Sequence, residues 1–247
     1  MPIFNVKFPA KKLVVFFVVD TSFSMEGAKI EALNQAAEEA ILLIRQNSKN
    51  NDDITIEIAV LQFSTGIKWS YPNPLPAESF AWQTLTADGA TDFGAACSEL
   101  SLKLTAKAGG FMYSESGSFA PVFILLSKGY STDIYQTPLK NLKENIWFKA
   151  GIKIAIAIGD DANLDVLSKF TGSLKSVYTV INVDSLKGII RSSLKKTSTL
   201  IEAPCATLNY LKRKQVEKQI LKCLDEDIQN GTITTVTGGN TVPDDWE

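Results

Sequence analysis

Up to residue 200 the chain alternates between unbroken apolar runs and stretches in which apolar residues recur at helical spacing. This alternation is typical of a parallel sheet with helices packed on both faces. The apolar runs predict strands at 13–19, 54–63, 121–126, 152–158 and 177–183. The periodic stretches predict helices at 27–47, 91–107, 135–147 and 162–170, and a further one after residue 183.

A sixth strand, at 67–71, follows the second after only Thr65 and Gly66. Two residues cannot cross the sheet, so this strand must return antiparallel. We therefore predict an α/β fold with a doubly wound, mostly parallel six-stranded sheet, one short antiparallel edge strand and helices on both faces. In such a sheet a ligand site is expected beyond the carboxyl ends of the central strands.

Several local signals refine these boundaries. Residues 72–76 begin and end with proline and predict irregular chain, and Pro138 predicts an interruption in the helix at 135–147. Asp160 and Asp161 are expected to cap the helix at 162–170, and Asp184 the one that follows residue 183.

The chain is predicted to divide into three parts. Residues 1–200 form the α/β domain, 201–229 an amphipathic helical extension, and 230–247 a disordered tail that ends in the acidic sequence DDWE. The extension has an apolar stripe that is expected to pack back on the domain and consists of Val216, Ile220, Cys223, Leu224 and Ile228.

Composition removes several classes of function. Lys and Arg number 25 against 27 Asp and Glu, so the net charge of -2 predicts neither a nucleic acid nor a membrane as partner. The sequence contains no histidine, which excludes Ser-His-Asp and Cys-His catalysis and His-ligated zinc. Three distant cysteines and an opening apolar run too short for a membrane span predict a cytoplasmic protein.

A group of side-chain oxygens follows the first predicted strand. Asp20 ends that strand, and Ser22 and Ser24 follow at alternate positions in the turn before the first helix. A second loop, at 87–92, contributes Thr91 at the start of another helix. Carboxylate and hydroxyl oxygens suit Mg²⁺ or Mn²⁺, which keeps part of its water shell in proteins.

At these positions the chain resembles a von Willebrand factor type A domain, a Rossmann-like fold, over residues 11–197. The DxSxS motif of the metal-ion-dependent adhesion site stands as Asp20, Ser22 and Ser24, and the threonine of the second loop as Thr91. The stretch that separates the DxSxS motif from Thr91, and the GDDAN segment at 159–163, are most similar to bacterial single-domain proteins linked with tellurite resistance and stress signalling. The resemblance implies a non-catalytic protein-binding module, often metal-dependent, with a kinase or phosphatase as the expected kind of partner.

The third loop departs from the family. Where the family supplies an aspartate, this chain has Lys128, between Ser127 and Gly129. An ammonium beside Asp20 would cancel the negative charge of the site and repel a cation by about 4 kcal/mol per unit charge. We therefore expect a degenerate metal site in which Lys128 pairs with Asp20, and the cofactor is either none or Mg²⁺. Further carboxylates that are available to an ion are Asp88, Asp92 and Asp133.

Two sets of site residues follow from this interpretation. The metal set is Asp20, Ser22, Ser24 and Thr91, and the partner-binding set adds Lys128 and Asp133. Two roles stay open for Lys128: it meets an acidic residue of the partner, or the site is a structural relic and binding occurs elsewhere. The oligomeric state also stays open.

An enzyme is the alternative interpretation of the same residues. A haloacid-dehalogenase-type phosphatase would use Asp20 as nucleophile and Lys128 as phosphate clamp. That family needs a second aspartate as general acid at position 22, where this chain has a serine. A flavodoxin-like cofactor binder is a weaker alternative still, because the first loop lacks a glycine-rich phosphate cradle.

Overall fold

The computed structural model describes residues 11–48, 54–113, 118–197 and 210–230. The strands are β1 (Lys11–Asp20), β2 (Ile54–Ser64), β3 (Gly66–Trp69), β4 (Leu75–Pro76), β5 (Val122–Ser127), β6 (Ile152–Ile158) and β7 (Val177–Val180). The helices are α1 (Ala28–Ser48), α2 (Phe93–Lys103), α3 (Gln136–Glu144), α4 (Ile146–Ala150), α5 (Leu164–Thr171), α6 (Val183–Thr197) and α7 (Tyr210–Gln229).

The strands form one sheet in the order β3-β2-β1-β5-β6-β7, and β4 pairs with β2. All neighbours along this order are parallel except β2 and β3, which are antiparallel. From β1 the chain first builds the sheet in one direction, and then returns to the other side of β1 to place β5. The strand order therefore reverses between β1 and β5, where doubly wound folds bind their ligands. The predicted fold class is confirmed.

Both faces of the sheet are covered, because neighbouring β1 side chains point to opposite sides. Leu13, Val15 and Phe17 pack in one core with residues of α1 and α6, while Val14 and Phe16 pack in a second core with residues of α2 to α5. Every β1 residue from 13 to 19 is at most 1% exposed. This burial fixes the end of β1, and with it the position of the first loop.

The helix predicted at 135–147 breaks at Asn145 and continues past Pro138, so the predicted interruption at Pro138 is wrong. Pro138 lies in the first turn of α3, where a missing N–H removes no helical hydrogen bond. Asn145 caps α4: its Oδ1 accepts from the amides of Trp147 at 2.9 Å and Phe148 at 3.3 Å.

Two other caps also differ from prediction. Asn163, not Asp160 or Asp161, caps α5, with its side chain accepting from the amide of Val166. Asn182 accepts from the amide of Ser185 at 2.9 Å at the start of α6, while Asp184 lies within the first turn. Aspartate and asparagine are equally good caps, so sequence alone does not decide between neighbouring positions.

A short strand was missed at 75–76, where proline predicted irregular chain. Leu75 lies opposite Ile58 and Pro76 opposite Glu57 in an antiparallel pair with β2. Proline is tolerated in an edge strand, where its missing N–H faces away from the ladder.

The C-terminal helix α7 packs on the core that contains α1 and α6. Leu224 is fully buried there, and Leu221 and Ile228 are partly buried. The predicted contact is therefore confirmed for Leu224 and Ile228. The side chains of Val216, Ile220 and Cys223, and the tail from residue 231, lie outside the described part, so the domain boundaries stay predictions. None of the described helices combines the length and hydropathy needed to cross a membrane.

Replacing Asn145 by alanine is expected to lower the free energy of unfolding by about 1 to 2 kcal/mol, because the α4 cap is lost. The Asn145 Nδ2 also donates to the carbonyl of Leu104 at 3.0 Å, so the substitution removes a tie between α4 and the end of α2. Urea denaturation measures the change. Asn141→Ala, the same substitution at an exposed position of α3, is the control, and an equal loss in both variants would contradict the assigned cap.

Candidate functional site

The carboxylate of Asp20 lies at the end of β1, next to the reversal of strand order. Its Oδ1 accepts from the main-chain N of Ser22 at 3.0 Å, and its Oδ2 accepts from the hydroxyl of Ser127, the last residue of β5, at 2.6 Å. Burial raises the pKa of Asp20, and the hydrogen bonds from Ser127 and Ser22 and the charge of Lys128 only partly offset that rise. Asp20 therefore joins the first loop to the third.

The two serines of the first loop lie together. The hydroxyl oxygens of Ser22 and Ser24 are 3.0 Å apart, and a single 3₁₀ turn at Phe23–Met25 places them on the same side. Ser22 is 1% exposed, whereas Ser24 is exposed. The structure thus brings Asp20, Ser22 and Ser24 into one group, as predicted from their spacing.

The second loop is held against the first and the third by main-chain hydrogen bonds. The N of Asp88 donates to the O of Thr21 at 2.9 Å, and the N of Phe23 donates to the O of Gly89 at 3.0 Å. Thr91 is buried, its N donates to the hydroxyl of Thr132, and its O accepts from the N of Thr132. Thr91 therefore lies in a loop that is bonded to the first loop through Asp88 and Gly89 and to the third loop through Thr132.

Lys128 does not pair with Asp20. Its Nζ lies 2.7 Å from Oδ2 of Asp161, in the loop that follows β6. The Lys128 side chain is 11% exposed and that of Asp161 is 56% exposed. Partial burial by itself raises the pKa of Asp161, but the hydrogen bond and charge of Lys128, with a contribution from Lys29, lower it overall. The expected internal Lys–Asp pair exists with a different aspartate.

Hydrogen bonds to main-chain carbonyls hold the third and fourth loops together around the Lys128–Asp161 pair. The N of Asn163 donates to the O of Lys128 at 2.7 Å, and the hydroxyl of Tyr130 donates to the O of Asp161 at 2.7 Å. Gly129 has a φ of +77°, and a Cβ there would lie 2.5 Å from the O of Asn163. Only glycine allows the third and fourth loops to approach this closely, which leaves Lys128 opposite Asp161.

Three other carboxylates were candidate ion ligands. Asp133 accepts from the amides of Gly94 and Ala95 at 2.9 Å, so it holds the first turn of α2 with both oxygens. Asp92 accepts from the N of Gly66 at 2.7 Å, and Asp88 is exposed. Asp133 therefore holds the N-terminus of α2, and its contact with a partner stays a prediction.

The family's metal fits these residues only in part. Two ligands of an octahedral Mg²⁺ lie about 3.0 Å apart, which is the separation of the Ser22 and Ser24 hydroxyls. However, Asp20 is the one carboxylate of the motif, both of its oxygens already accept hydrogen bonds, and a lysine stands at the third-loop position. The donor set does not suit a tightly held divalent cation.

Sequence reasoning missed two residues of this site. Ser127 was considered only as the neighbour of Lys128 and as a phosphate-binding hydroxyl of the phosphatase alternative, although the end of a strand beside β1 is where a partner of Asp20 would lie. Asp161 was predicted to be a helix cap. Nothing in the sequence of the loop after β6 indicates that Asp161 pairs with Lys128.

Comparison with known proteins gives one matching family and several solved structures of similar fold. The family model described as von Willebrand factor type A domain matches residues 15–192. A von Willebrand factor type A protein from Catenulispora acidiphila is 20% identical, with a TM-score of 0.57, over 76% of this chain and 43% of that one. The pilus adhesin SpaC from Lactobacillus rhamnosus GG is 14% identical, with a TM-score of 0.59, over 76% and 30%.

A third similar structure is proximal thread matrix protein 1 from the mussel byssus, with a zinc-occupied MIDAS motif. It is 17% identical, with a TM-score of 0.54, over 76% of this chain and 46% of that one. This chain therefore spans less than half the length of each of these three proteins. At these identities the similarity shows the fold alone. The search of curated proteins gave no match.

Asp161→Asn is expected to lower the free energy of unfolding by about 1 kcal/mol, because it leaves the mostly buried Lys128 ammonium without its carboxylate. The control is Asp165→Asn, which breaks a pair with Lys169 in which both side chains are exposed, so a clearly smaller change is expected. Thermal and urea unfolding measure both variants. Equal changes would show that Lys128 does not depend on Asp161.

Lys128→Asp is expected to bind Mg²⁺ at least about tenfold more tightly than the unmodified chain, because it replaces a repelling charge by a second carboxylate. Calorimetric titration with MgCl₂ measures the affinity, and circular dichroism checks the fold. Adding Ser24→Ala to this variant tests whether the ion binds at the serine pair, since the gain should then fall. The proposed loss of the metal site is wrong if the unmodified chain binds Mg²⁺ as tightly as Lys128→Asp.

Proposed function

We infer the function from the family: this chain belongs to the von Willebrand factor type A domain family, and we propose that it binds another protein through the loops at the carboxyl end of its sheet. Domains of this family are generally non-catalytic adhesion or interaction modules, often with a MIDAS motif. We define the loop face as residues 21–27, 84–92, 128–134 and 159–165. Its loops are joined to one another by the hydrogen bonds described above.

Exposed apolar side chains on the loop face support this proposal most directly. Ile134 is 80% exposed, Phe23 66% and Tyr130 49%. Single exposed apolar residues are ordinary on a protein surface, but three on adjoining loops are typical of an interaction site. Below them lie Asp20, Ser22 and Thr91, which are buried and hold the loops in place. We propose that these residues and Lys128 form the floor of the partner site.

We further propose that partner binding does not require a divalent cation. The zinc-occupied motif belongs to the mussel protein, and this chain differs by having Lys128 paired with Asp161 at the third loop. A cation at the serine pair would face this lysine with one buried carboxylate to offset it. The site is accordingly a degenerate adhesion site, in which an ion pair takes the place of the metal.

The phosphatase alternative has less support. A general acid would be needed at position 22, and Ser22 is a buried serine with its hydroxyl 3.0 Å from that of Ser24. The cytoplasmic location, the relation to tellurite-resistance proteins and a kinase or phosphatase as partner stay predictions from the sequence.

A pull-down from the cells that produce this protein tests the proposed function. Phe23→Ser and Ile134→Ser should each abolish capture of a partner, while Leu102→Ser, a matched control near the end of α2 where the side chain is 70% exposed, should retain it. Capture in the presence of EDTA should equal capture in MgCl₂. If the loop-face variants capture the same protein as the unmodified chain, the face is not the binding surface. Capture that EDTA abolishes contradicts metal independence.

A further inference from the structure

The charges on the loop face are distributed in an unexpected way. The exposed charged residues of this face are all acidic: Glu26, Asp88, Asp160, Asp161 and Asp165. Lys128 is the single basic residue within these four segments, which the structure describes completely. Asp161 is paired with Lys128 and Asp165 with Lys169, whereas Glu26 and Asp88 form no ion pair among the described residues, so these two carboxylates supply the acidic charge that a partner would meet.

Lys128 cannot offset this charge toward a partner. Its ammonium is already paired with Asp161, and its side chain is 11% exposed. An acidic partner residue would have to displace Asp161 while it is repelled by the neighbouring carboxylates. The expectation that Lys128 receives an acidic partner residue is therefore unfavourable on electrostatic grounds.

The apolar and acidic residues of the face lie close together. The N of Glu26 donates to the O of Phe23, and the N of Phe23 donates to the O of Gly89, the residue after Asp88. These main-chain bonds place the backbone of Glu26 and of Asp88 close to that of Phe23, the most exposed aromatic residue of the described chain. An exposed aromatic side chain near carboxylates suits an apolar residue with lysine or arginine next to it.

We propose that the loop face binds a basic, apolar segment of a partner protein, in which lysine or arginine side chains meet Glu26 and Asp88 and an apolar side chain covers Phe23. This inference rests on the proposed function and specifies the chemistry of the partner. The contacts are between exposed charges, so binding should weaken as salt concentration rises. The proposed contacts to Phe23, Glu26 and Asp88 do not use an ion at Ser22 and Ser24, so this binding should not require a divalent cation.

Two synthetic peptides test this proposal. One is a fluorescein-labelled octapeptide of lysine and leucine with a central tryptophan, and the other has glutamate in place of every lysine. Fluorescence anisotropy measures their binding to the whole chain at low and high NaCl. The basic peptide should bind at least about tenfold more tightly at low salt and lose affinity at high salt.

Charge-neutral variants locate the binding. Combined Glu26→Gln and Asp88→Asn should weaken the basic peptide at least about fivefold, and Phe23→Ser should weaken it independently of salt. The matched control, combined Glu31→Gln and Glu38→Gln, removes two exposed carboxylates on α1, outside the loop face, and should leave binding unchanged. An equal effect of this control would mean that the peptide responds only to the net charge of the chain, and would contradict the proposal.

The remaining outcomes separate the two claims. If the acidic peptide binds as tightly as the basic one and Phe23→Ser weakens it, the loop face binds proteins but its partner is not basic. If Phe23→Ser and Ile134→Ser change neither peptide, the face is not an interaction surface, and the proposed function falls together with this inference.

Discussion

The ion pair between Lys128 and Asp161 joins the third loop to the fourth and fixes the charge at the carboxyl end of this sheet. Lys128 follows β5, beside the point at which strand order reverses, and comes directly after Ser127, which donates to Asp20, so its charge lies near that carboxylate. A short contact of 2.7 Å with Asp161 neutralises that charge within the protein. The ammonium of Lys128 is therefore paired and mostly buried, and this position of the third loop carries a lysine where the family has an ion-binding carboxylate.

The loops around this pair depend on one another. Asp20 holds the first loop to the third through Ser127, the second loop bonds to both, and the fourth bonds to the third at Lys128. Hydrogen-bond donors face both oxygens of Asp20 and offset part of the cost of burying this carboxylate. The buried residues of the motif, Asp20, Ser22 and Thr91, lie in the loops that carry Phe23, Tyr130 and Ile134, the exposed residues of the proposed partner surface.

Much of this arrangement follows from the sequence, and the remainder depends on long-range contacts. The buried run of β1 ends at Asp20 because a central parallel strand is apolar along its whole length, and that pattern is local. The serine spacing is local too. By contrast, the partner of Lys128 depends on a contact across 33 residues, between loops whose approach depends on Gly129. The cap at Asn145 was missed because Pro138 is a strong helix-breaking signal except in a first turn.

A crystal structure from crystals grown in MnCl₂ tests the replacement of the metal by this ion pair most directly, since manganese is located by its anomalous scattering. The pairing of Lys128 with Asp161 predicts no manganese peak near the hydroxyls of Ser22 and Ser24, with the Lys128 Nζ still within hydrogen-bonding distance of Asp161. A manganese ion bound by the two serines, with Lys128 turned away from Asp161, would contradict it.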